Sequence, residues 1–338
     1  MPQTMSQTRD FSIRDAVDRH LRERQHEVSE STLQNQRYAL KRFVEFCDSN
    51  GIEEISELDG FDLADFRLER QEAVSSTTVY NNLTSLRTFV RWCEQRDLLP
   101  HGLADGMTVP NREGEVRETA LDADRAKKIL SYLEKYEYAS FRHTMLALLW
   151  DTGMRVGTLR ALDVGDVHAD EQYAEARHRP ETDTPLKNGV GGEREINLHQ
   201  WAADVVSGYI QERRDEKLDR HGRRPLLTTR DGRPRVNTLR YHVYRVTSPC
   251  YYGTCPHGRD PDNCVATAYS QGSKCPSSLS PHPVQRGAIT AWLNDGHAKE
   301  LLSDRMDVST DVLEKHYDAR SESEKRELRR EAFGMEET

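Results

Sequence analysis

The sequence lacks any long hydrophobic run. Hydrophobic residues make up 36% of its 338 residues, and no segment approaches the ~18 consecutive apolar residues that a membrane-spanning helix requires. The N-terminus also lacks the basic and then apolar pattern of a secretory signal. These absences argue against a membrane protein and predict a soluble, cytoplasmic one. At ~150 residues per domain, the length predicts two globular domains.

Lysine is also scarce, since 10 of the 48 basic residues are lysines and the rest are arginines. The 57 acidic residues leave a formal net charge of -9. Few lysines, many carboxylates and little apolar content are typical of proteins that stay dissolved in concentrated salt, so we expect a halophilic source. A net negative charge by itself argues against a polyanionic partner such as DNA.

One stretch reverses this charge. Between Glu212 and Arg245 there are 11 basic and 5 acidic residues, a local net charge of +6. Such a stretch can follow the phosphates of a nucleic acid. A solvated surface with local ion pairs explains it equally well, so the stretch alone does not decide between these interpretations.

The N-terminal third is helical in pattern. Residues 11–99 show helical periodicity throughout and predict a four-helix bundle. Ser31 or Thr32 is expected to cap the second helix, which Gly51 would end, and Ser76 and Thr77 would precede the fourth.

The rest of the chain predicts a second domain with one small sheet. Asp122 is expected to cap its first helix, and the apolar helix Thr144–Trp150 to be buried and to end at Gly153. Strand-like patterns at Tyr173–His178 and Glu195–Leu198 predict a β-hairpin around a glycine-rich turn. Further helices are predicted at Gln200–Arg214, Asn237–Thr247, Pro283–Leu293, Ala298–Asp304, Thr310–Tyr317 and Ser321–Arg330.

The expected fold class is mainly α with a small antiparallel β-sheet. The expected boundaries are 1–105 for the helical bundle, 106–120 for a linker and 121–338 for the second domain, with a Cys-rich insertion at 249–281.

Three separated segments carry residues suited to phosphate chemistry. DTGMRVGTLRALDVGDV places Arg155 at the start of a helix after a glycine break, where backbone N–H groups and a guanidinium both suit a phosphate. Lys187 lies at the predicted hairpin turn, where a flexible ammonium can reach a bound anion. The C-terminal segment holds His282 in SPHPVQRGAIT and Tyr317 in STDVLEKHYDAR. Taken singly, each residue also fits an ordinary structural role.

In this order, the residues resemble the tyrosine recombinase (phage integrase) family of Xer-like site-specific recombinases. TGMRVGTLRALDVGDV resembles the family's first arginine motif and TPLKNGVGGEREINL its lysine hairpin, and the resemblance covers nearly the whole chain. The stretches HRPETDTPLKN, SKCPSSLSPH and DVLEKHYDARSE are similar to integrase-like proteins of halophilic archaea. The resemblance implies an N-terminal helical core-binding (SAM-like) DNA-binding bundle followed by an α+β catalytic domain.

The resemblance also implies an activity, which is site-specific cleavage and rejoining of DNA strands through a 3′-phosphotyrosyl intermediate. Tyr317 would be the nucleophile, and His282 would assist the loss of its proton. Arg155 would stabilise the phosphate in the transition state, and Lys187 would protonate the 5′-oxygen that leaves. Bond energy is conserved, so neither a nucleotide nor a metal is implied for catalysis. The implied partner is double-stranded DNA, bound as a tetramer, with no membrane involved.

Two positions depart from the family's pattern. The family places its second arginine three residues after the histidine, where this chain has Gln285 followed by Arg286. Both positions lie near the face of His282 on a helix, so Arg286 is the expected replacement. A Leu-Gly-His ahead of the tyrosine corresponds here to MDV at 306–308, with Val308 in place of the histidine. A catalytically impaired DNA-binding regulator therefore stays open as an alternative, as does a type IB topoisomerase-like relaxing enzyme, which shares the chemistry.

The six cysteines fall into two groups. Cys47 and Cys93 lie within apolar helical patterns and are expected to be buried thiols. The other four lie in the insertion, and four thiols in a Gly- and Pro-rich segment of a reducing compartment predict a structural zinc site rather than disulfides. A metal-free loop of reduced thiols is the alternative. The predicted zinc ligands are Cys250, Cys255, Cys264 and Cys275.

Overall fold

The computed structural model describes residues 11–110 and 119–316, together with Arg326 and Arg330. The chain divides into two compact units, Met1–Arg117 and Glu118–Thr338. The fold is mainly helical with one small antiparallel sheet, which confirms the predicted fold class. None of the helices in the described ranges combines the length and hydrophobicity needed to span a bilayer. Tyr317 lies outside the described residues, as does the predicted helix Ser321–Arg330 apart from its residues 326 and 330.

The first unit is a helical bundle whose second and fourth helices pack along each other. Its core is aromatic, with Phe43, Phe66 and Phe89 fully buried, and the thiols of Cys47 and Cys93 are buried within it, as predicted. The helices are α1 (Ile13–Arg24), α2 (Glu30–Asn50), α3 (Gly60–Ala73), α4 (Ser76–Glu94) and the short α5 (Leu103–Gly106).

The predicted cap of α2, Ser31 or Thr32, was wrong by two or three residues. Ser29 stands at the N-cap, and its hydroxyl accepts a hydrogen bond from the Thr32 backbone N–H at 3.3 Å. Several hydroxyl residues in a row can each cap a helix, so the pattern alone did not select one. The other end was predicted correctly, since Gly51 takes the left-handed conformation, with φ of 72°, that ends helices readily.

The second unit is built around the buried helix that the sequence predicted. Asp122 caps the first helix of this unit by accepting from the Arg125 N–H at 3.1 Å. Residues 145–149 of the next helix are all nearly or fully buried. Its helices are α6 (Ala123–Tyr136), α7 (Phe141–Thr152), α8 (Val156–Ala161), α9 (Gln200–Gly208, continued by a π-helical turn, Tyr209–Arg213), α10 (Val236–Thr247), α11 (Pro249–Tyr252), α12 (Pro281–Asn294), α13 (Lys299–Met306) and α14 (Thr310–His316).

The sheet has three strands in the order β1-β2-β3, all antiparallel. Ala174 pairs with Ile196 between the second and third strands, and both side chains are buried against the core. The first strand was not predicted, because two residues are too short to show a strand period. The strands are β1 (Val167–His168), β2 (Tyr173–Ala176) and β3 (Arg194–Asn197).

Close backbone packing fixes the start of α12. The Leu121 N–H donates to the Pro283 carbonyl at 2.9 Å. A methyl group at Gly287 would lie 2.0 Å from the Leu121 carbonyl oxygen, so only glycine permits this approach. The helix that carries His282 is therefore held against the segment that enters α6.

Candidate active site

An open cleft in the second unit, with a volume of about 560 Å³, brings together three of the five predicted catalytic residues. Arg155, Lys187 and His282 line it, although they come from segments far apart in the sequence. The lining residues are Arg155, Val156, Lys187, Asn188, Pro281, His282, Gln285, Asp307, Val308, Ser309 and Val312.

Arg155 is presented by the tight turn between α7 and α8. Gly153 ends α7 with a positive φ of 62°, and a methyl group there would lie 3.0 Å from the Met306 side chain. The Thr152 hydroxyl accepts from the Met154 N–H at 3.2 Å, and Met154 is fully buried. Gly153 and Met154, the two residues before Arg155, are thus fixed in the core, and the Arg155 side chain that follows them lines the cleft.

Lys187 lies in the connection between β2 and β3. The adjacent Leu186 is buried, and its N–H donates to Nδ1 of His178 at 2.9 Å. The Glu193 carboxylate accepts from the His178 N–H at 2.7 Å, which ties the two sides of the connection together. The exposed Lys187 side chain therefore projects from an anchored loop, as a residue that reaches a bound anion must.

His282 lies in the first turn of α12 and lines the cleft, where its ring is in part shielded from solvent. Its pKa is lowered, first by loss of hydration and next by the positive charge of Arg286. A hydrogen bond with Gln285 opposes this, whereas the charges of Lys187 and Arg155 add to it. Loss of hydration, with the nearby cations adding to it, therefore favours the neutral imidazole, which is the state a proton acceptor needs.

Gln285 occupies the position where the resemblance implied an arginine. Its Nε2 donates to the Gly153 carbonyl at 2.9 Å, so the buried side chain ties α12 to the turn that presents Arg155. Arg286 is also buried, and it is not among the residues that line the cleft. Its charge still reaches His282. Replacement of the second arginine by Arg286 stays a prediction.

Sequence reasoning missed the partners of Arg155. Arg155 Nη1 donates to Asp307 Oδ2 at 2.6 Å, and Asn188 Nδ2 donates to Asp307 Oδ1 at 2.6 Å. Asp307 has a φ of 56°, in the left-handed region. The available signal was that an acid stands where the family pattern has glycine, the residue that prefers this conformation.

Tyr317 lies beyond the described part of the chain, but the helix that leads to it is described through His316. Leu313 of α14 is fully buried in a small core with Met306 and Val308. The same core includes Ile289 and Leu293 of α12. The start of α14 therefore shares a core with the helix that carries His282.

The basic stretch 212–245 carries less free positive charge than its sequence implied. Five of its arginines form ion pairs with carboxylates, and two of those carboxylates, on Asp163 and Asp183, lie outside the stretch. A second cleft of about 620 Å³ is lined by arginines and aspartates together. The interpretation as a surface with local ion pairs thus holds for part of the stretch. The five paired arginines are Arg214, Arg220, Arg223, Arg224 and Arg233.

The ion pairs of Arg223 and Arg233, together with those of Arg179 outside the stretch, form what we call the arginine–aspartate network: Arg179, Arg223 and Arg233 with Asp163, Asp166 and Asp219. Arg233 and Asp219 are joined at 2.8 Å, and 4% of each side chain is exposed. Each arginine of the network is paired with a carboxylate. The network thereby holds the connection between β2 and β3, which carries Arg179, onto the loop before α10, which carries Arg223 and Arg233.

The four cysteines of the insertion are present as free thiols. Burial raises the pKa of the Cys250 thiol; the charge of Arg245 opposes this, and the Cys275 and Cys255 thiols add to it. The thiols of Cys255 and Cys275 are therefore each within electrostatic reach of Cys250. Within residues 11–110 and 119–316, however, no group of three or more His, Cys, Asp or Glu side chains is arranged to hold a metal ion. The zinc site stays a prediction.

Comparison with known proteins identifies the N-terminal unit and the fold. Residues 13–99 match the family model of the phage integrase N-terminal SAM-like domain. No curated protein sequence matches the chain. Among solved structures, the Tn1549 transposon integrase in complex with a circular intermediate DNA is similar, with a TM-score of 0.67 and 16% identity over 94% of this chain and 99% of that one.

Two further structures are similar. A lambda integrase dimer bound to a COC′ core site matches with a TM-score of 0.64 and 13% identity, covering 93% of this chain and 79% of that one. The N-terminal domain of a phage integrase from Haloarcula marismortui is 28% identical over 30% of this chain and 98% of its own, but its TM-score of 0.29 is too low to carry an argument. The predicted resemblance is thus confirmed at the level of the fold: the chain has an integrase SAM-like domain and the integrase fold.

Proposed function

We propose that this chain, which has the integrase fold, is a site-specific DNA recombinase that acts through a 3′-phosphotyrosyl intermediate. The observation that carries the proposal is the cleft, where Arg155, Lys187 and His282 converge from three separate segments. A guanidinium, an ammonium and a neutral imidazole around one open site are the groups that phosphoryl transfer to a phenol requires.

Each residue has a defined part in the proposed reaction. The Tyr317 oxygen attacks the scissile phosphorus, the bond from phosphorus to the 5′-oxygen breaks, and the phosphate stays on the tyrosine through its 3′ side. His282 accepts the phenolic proton, and its lowered pKa keeps the imidazole in the unprotonated form that this step requires. Arg155 stabilises the charge on the nonbridging oxygens, and Lys187 gives a proton to the 5′-oxygen. A 5′-hydroxyl from a second strand reverses the step, so no nucleotide is consumed.

Double-stranded DNA is the proposed partner. The similar Tn1549 and lambda integrase structures both contain DNA, which supports this partner. Strand exchange joins two duplexes, so we propose a tetramer on DNA. The proposed domain roles are DNA binding for residues 1–105, connection for 106–120 and catalysis for 121–338.

One observation favours a second candidate, a catalytically impaired DNA-binding regulator. Gln285 is tied to the Gly153 carbonyl and Val308 offers no hydrogen-bond donor, so two groups implied by the family pattern are missing from the cleft. Removal of one donor from such a site slows a reaction by ~10²–10³-fold. A slow recombinase and a regulator therefore differ in whether any covalent product forms.

Trapping of a covalent adduct between the protein and DNA distinguishes the two candidates. The full chain is incubated with a library of nicked duplexes, in which loss of a short fragment prevents religation, and the products are separated under denaturing conditions. The recombinase predicts a protein–DNA adduct that Tyr317→Phe abolishes, while Tyr269→Phe, at an exposed tyrosine, leaves the adduct intact. Wild-type protein that binds the duplexes but forms no adduct would establish the regulator. Sequencing of the trapped DNA reports the target site.

Zinc is a separate and structural part of the proposal. A metal held by the four cysteines would fold an insertion that has little apolar content of its own. Metal analysis of protein purified without chelator is expected to give about one zinc per chain, and Cys264→Ser is expected to reduce it. Zinc far below one equivalent in the wild-type protein would establish the metal-free loop.

A further inference from the structure

Asp307 places a carboxylate in the cleft where the proposed reaction needs a phosphate. One of its oxygens accepts from Arg155 Nη1 and the other from Asn188 Nδ2, each at 2.6 Å. Two nonbridging oxygens of a phosphodiester would use such a pair of donors in the same way. Asp307 is also the one acid among the described residues that line the cleft with Lys187 and His282.

The backbone holds this carboxylate in place. Asp307 takes a left-handed conformation directly after α13, with a φ of 56°. On one side Met306 is fully buried against the Gly153 turn, and on the other Val308 is buried in the small core. Only 12% of the Asp307 side chain is exposed. Its position is therefore set by the fold and does not result from the free rotation of a surface side chain.

We propose that Asp307 is a resident anion that occupies Arg155 in the DNA-free protein and releases it to the scissile phosphate. This inference rests on the proposed function, because that function makes the cleft a phosphate site. Two anions cannot share one guanidinium closely without mutual repulsion. The carboxylate therefore lowers the affinity of the cleft for phosphate and acts on the reaction through Arg155.

The opposite role, in which Asp307 only orients Arg155 for a phosphate bound elsewhere on the guanidinium, gives the opposite expectation. Loss of an orienting group weakens phosphate binding, whereas loss of a competing anion strengthens it. Asp307→Asn separates the two roles, because it removes the charge, keeps an oxygen for Arg155 and tolerates the left-handed backbone. Asp307→Gly is the second variant, since glycine adopts a positive φ without strain.

The test measures the affinity of the full chain for inorganic phosphate, from the rise in melting temperature at constant ionic strength. We expect Asp307→Asn to bind phosphate about tenfold more tightly than the wild-type protein, because one like charge is gone from the site. Asp304→Asn is the matched control: it removes the same charge from an exposed residue of α13 that does not line the cleft. The phosphate affinity of Asp304→Asn should stay within about twofold of that of the wild-type protein.

Combination with Arg155→Ala locates the effect. In the Arg155→Ala variant, Asp307→Asn should raise the affinity for phosphate no more than the Asp304→Asn control does. The guanidinium to which the phosphate would bind is then absent. Unchanged or weaker phosphate binding by both Asp307→Asn and Asp307→Gly would overturn the proposal. So would an increase in phosphate affinity by Asp307→Asn that is as large in the Arg155→Ala variant as in the wild-type protein. Phosphate binding requires no tyrosine chemistry, so failure to form a covalent DNA adduct would refute the recombinase and leave this inference standing.

Discussion

Two arginine–carboxylate groups in the second unit are built from the same residue types and differ in burial. In the arginine–aspartate network, Arg233 bonds to both Asp163 and Asp219 and is almost completely buried. In the cleft, Arg155 bonds to one carboxylate, on Asp307, and 24% of its side chain is exposed. A buried and matched guanidinium is costly to disturb, while a partly exposed one with a single partner can exchange that partner. The network is therefore structural and the cleft pair is available for binding.

Arg155→Ala tests the functional side of this comparison and has the largest expected effect. Adduct formation on nicked duplexes should fall by ~10²–10³-fold, because a donor that stabilises the transition state is removed. The melting temperature should change little, since Asp307 keeps the hydrogen bond from Asn188. Arg230→Ala, at an exposed arginine of the second cleft, is the control and should retain activity. A large loss of stability in Arg155→Ala would mean that the cleft pair is structural as well.

Arg233→Ala tests the structural side. It leaves the buried carboxylate of Asp219 without its guanidinium, so the free energy of unfolding should fall by ~3–5 kcal/mol. Denaturant unfolding measures this loss, with Arg230→Ala as the control expected within about 0.5 kcal/mol of wild type. A change in Arg233→Ala as small as in the control would show that the network contributes little to stability.

The pH profile of adduct formation tests the charge balance of the cleft. The pKa of His282 is lowered from its ordinary 6.5, so the imidazole stays neutral as the pH falls through 6.5 and activity should decline only below that value. Because the charge of Arg286 is the largest charge effect on this group, Arg286→Gln should move the acidic limb upward. Arg230→Gln should leave it in place. An acidic limb above pH 6.5 in the wild-type protein would contradict the assignment of His282 as the proton acceptor.

Arg220→Ala has the smallest expected effect and tests whether exposure decides the role of a pair. Arg220 bonds to Asp183 at 3.2 Å, but 72% of its side chain is exposed. Exposed ion pairs contribute ~0.2–1 kcal/mol to stability. The free energy of unfolding of Arg220→Ala should therefore fall by about 0.5 kcal/mol, and by less in high salt, which screens the pair. A loss as large as that of Arg233→Ala would show that exposure does not decide how much an ion pair contributes to stability.

Local patterns predicted most elements of the fold. Apolar periodicity located the bundle helices, and Gly51 and Gly153 ended helices as expected, because a left-handed residue after the last turn is a local property. Asp122 capped α6 for the same reason. The pairing of β2 with β3 was predicted, whereas β1 depends on contact with a neighbouring strand and has too little sequence to show it.

Most of the candidate site was chosen from the sequence, but its electrostatics were not. Arg155, Lys187 and His282 were selected from their motifs and do line one cleft. The carboxylate on Arg155 was missed because Asp307 lies 152 residues along the chain from it. The basic stretch was overvalued for a similar reason, since Asp163 and Asp183 neutralise arginines from outside it.

The sequence by itself determined where most helices lie, which residues are suited to phosphate chemistry, and how acidic the chain is. These properties depend on neighbours in the chain and on composition. Only the tertiary structure decided which charges meet. A charge is neutralised by whatever lies within a few ångströms, and folding brings Asp307 to Arg155 and Asp163 to Arg233 without regard to their separation in sequence. How many arginines are neutralised by carboxylates therefore follows from the fold and not from a count of residues.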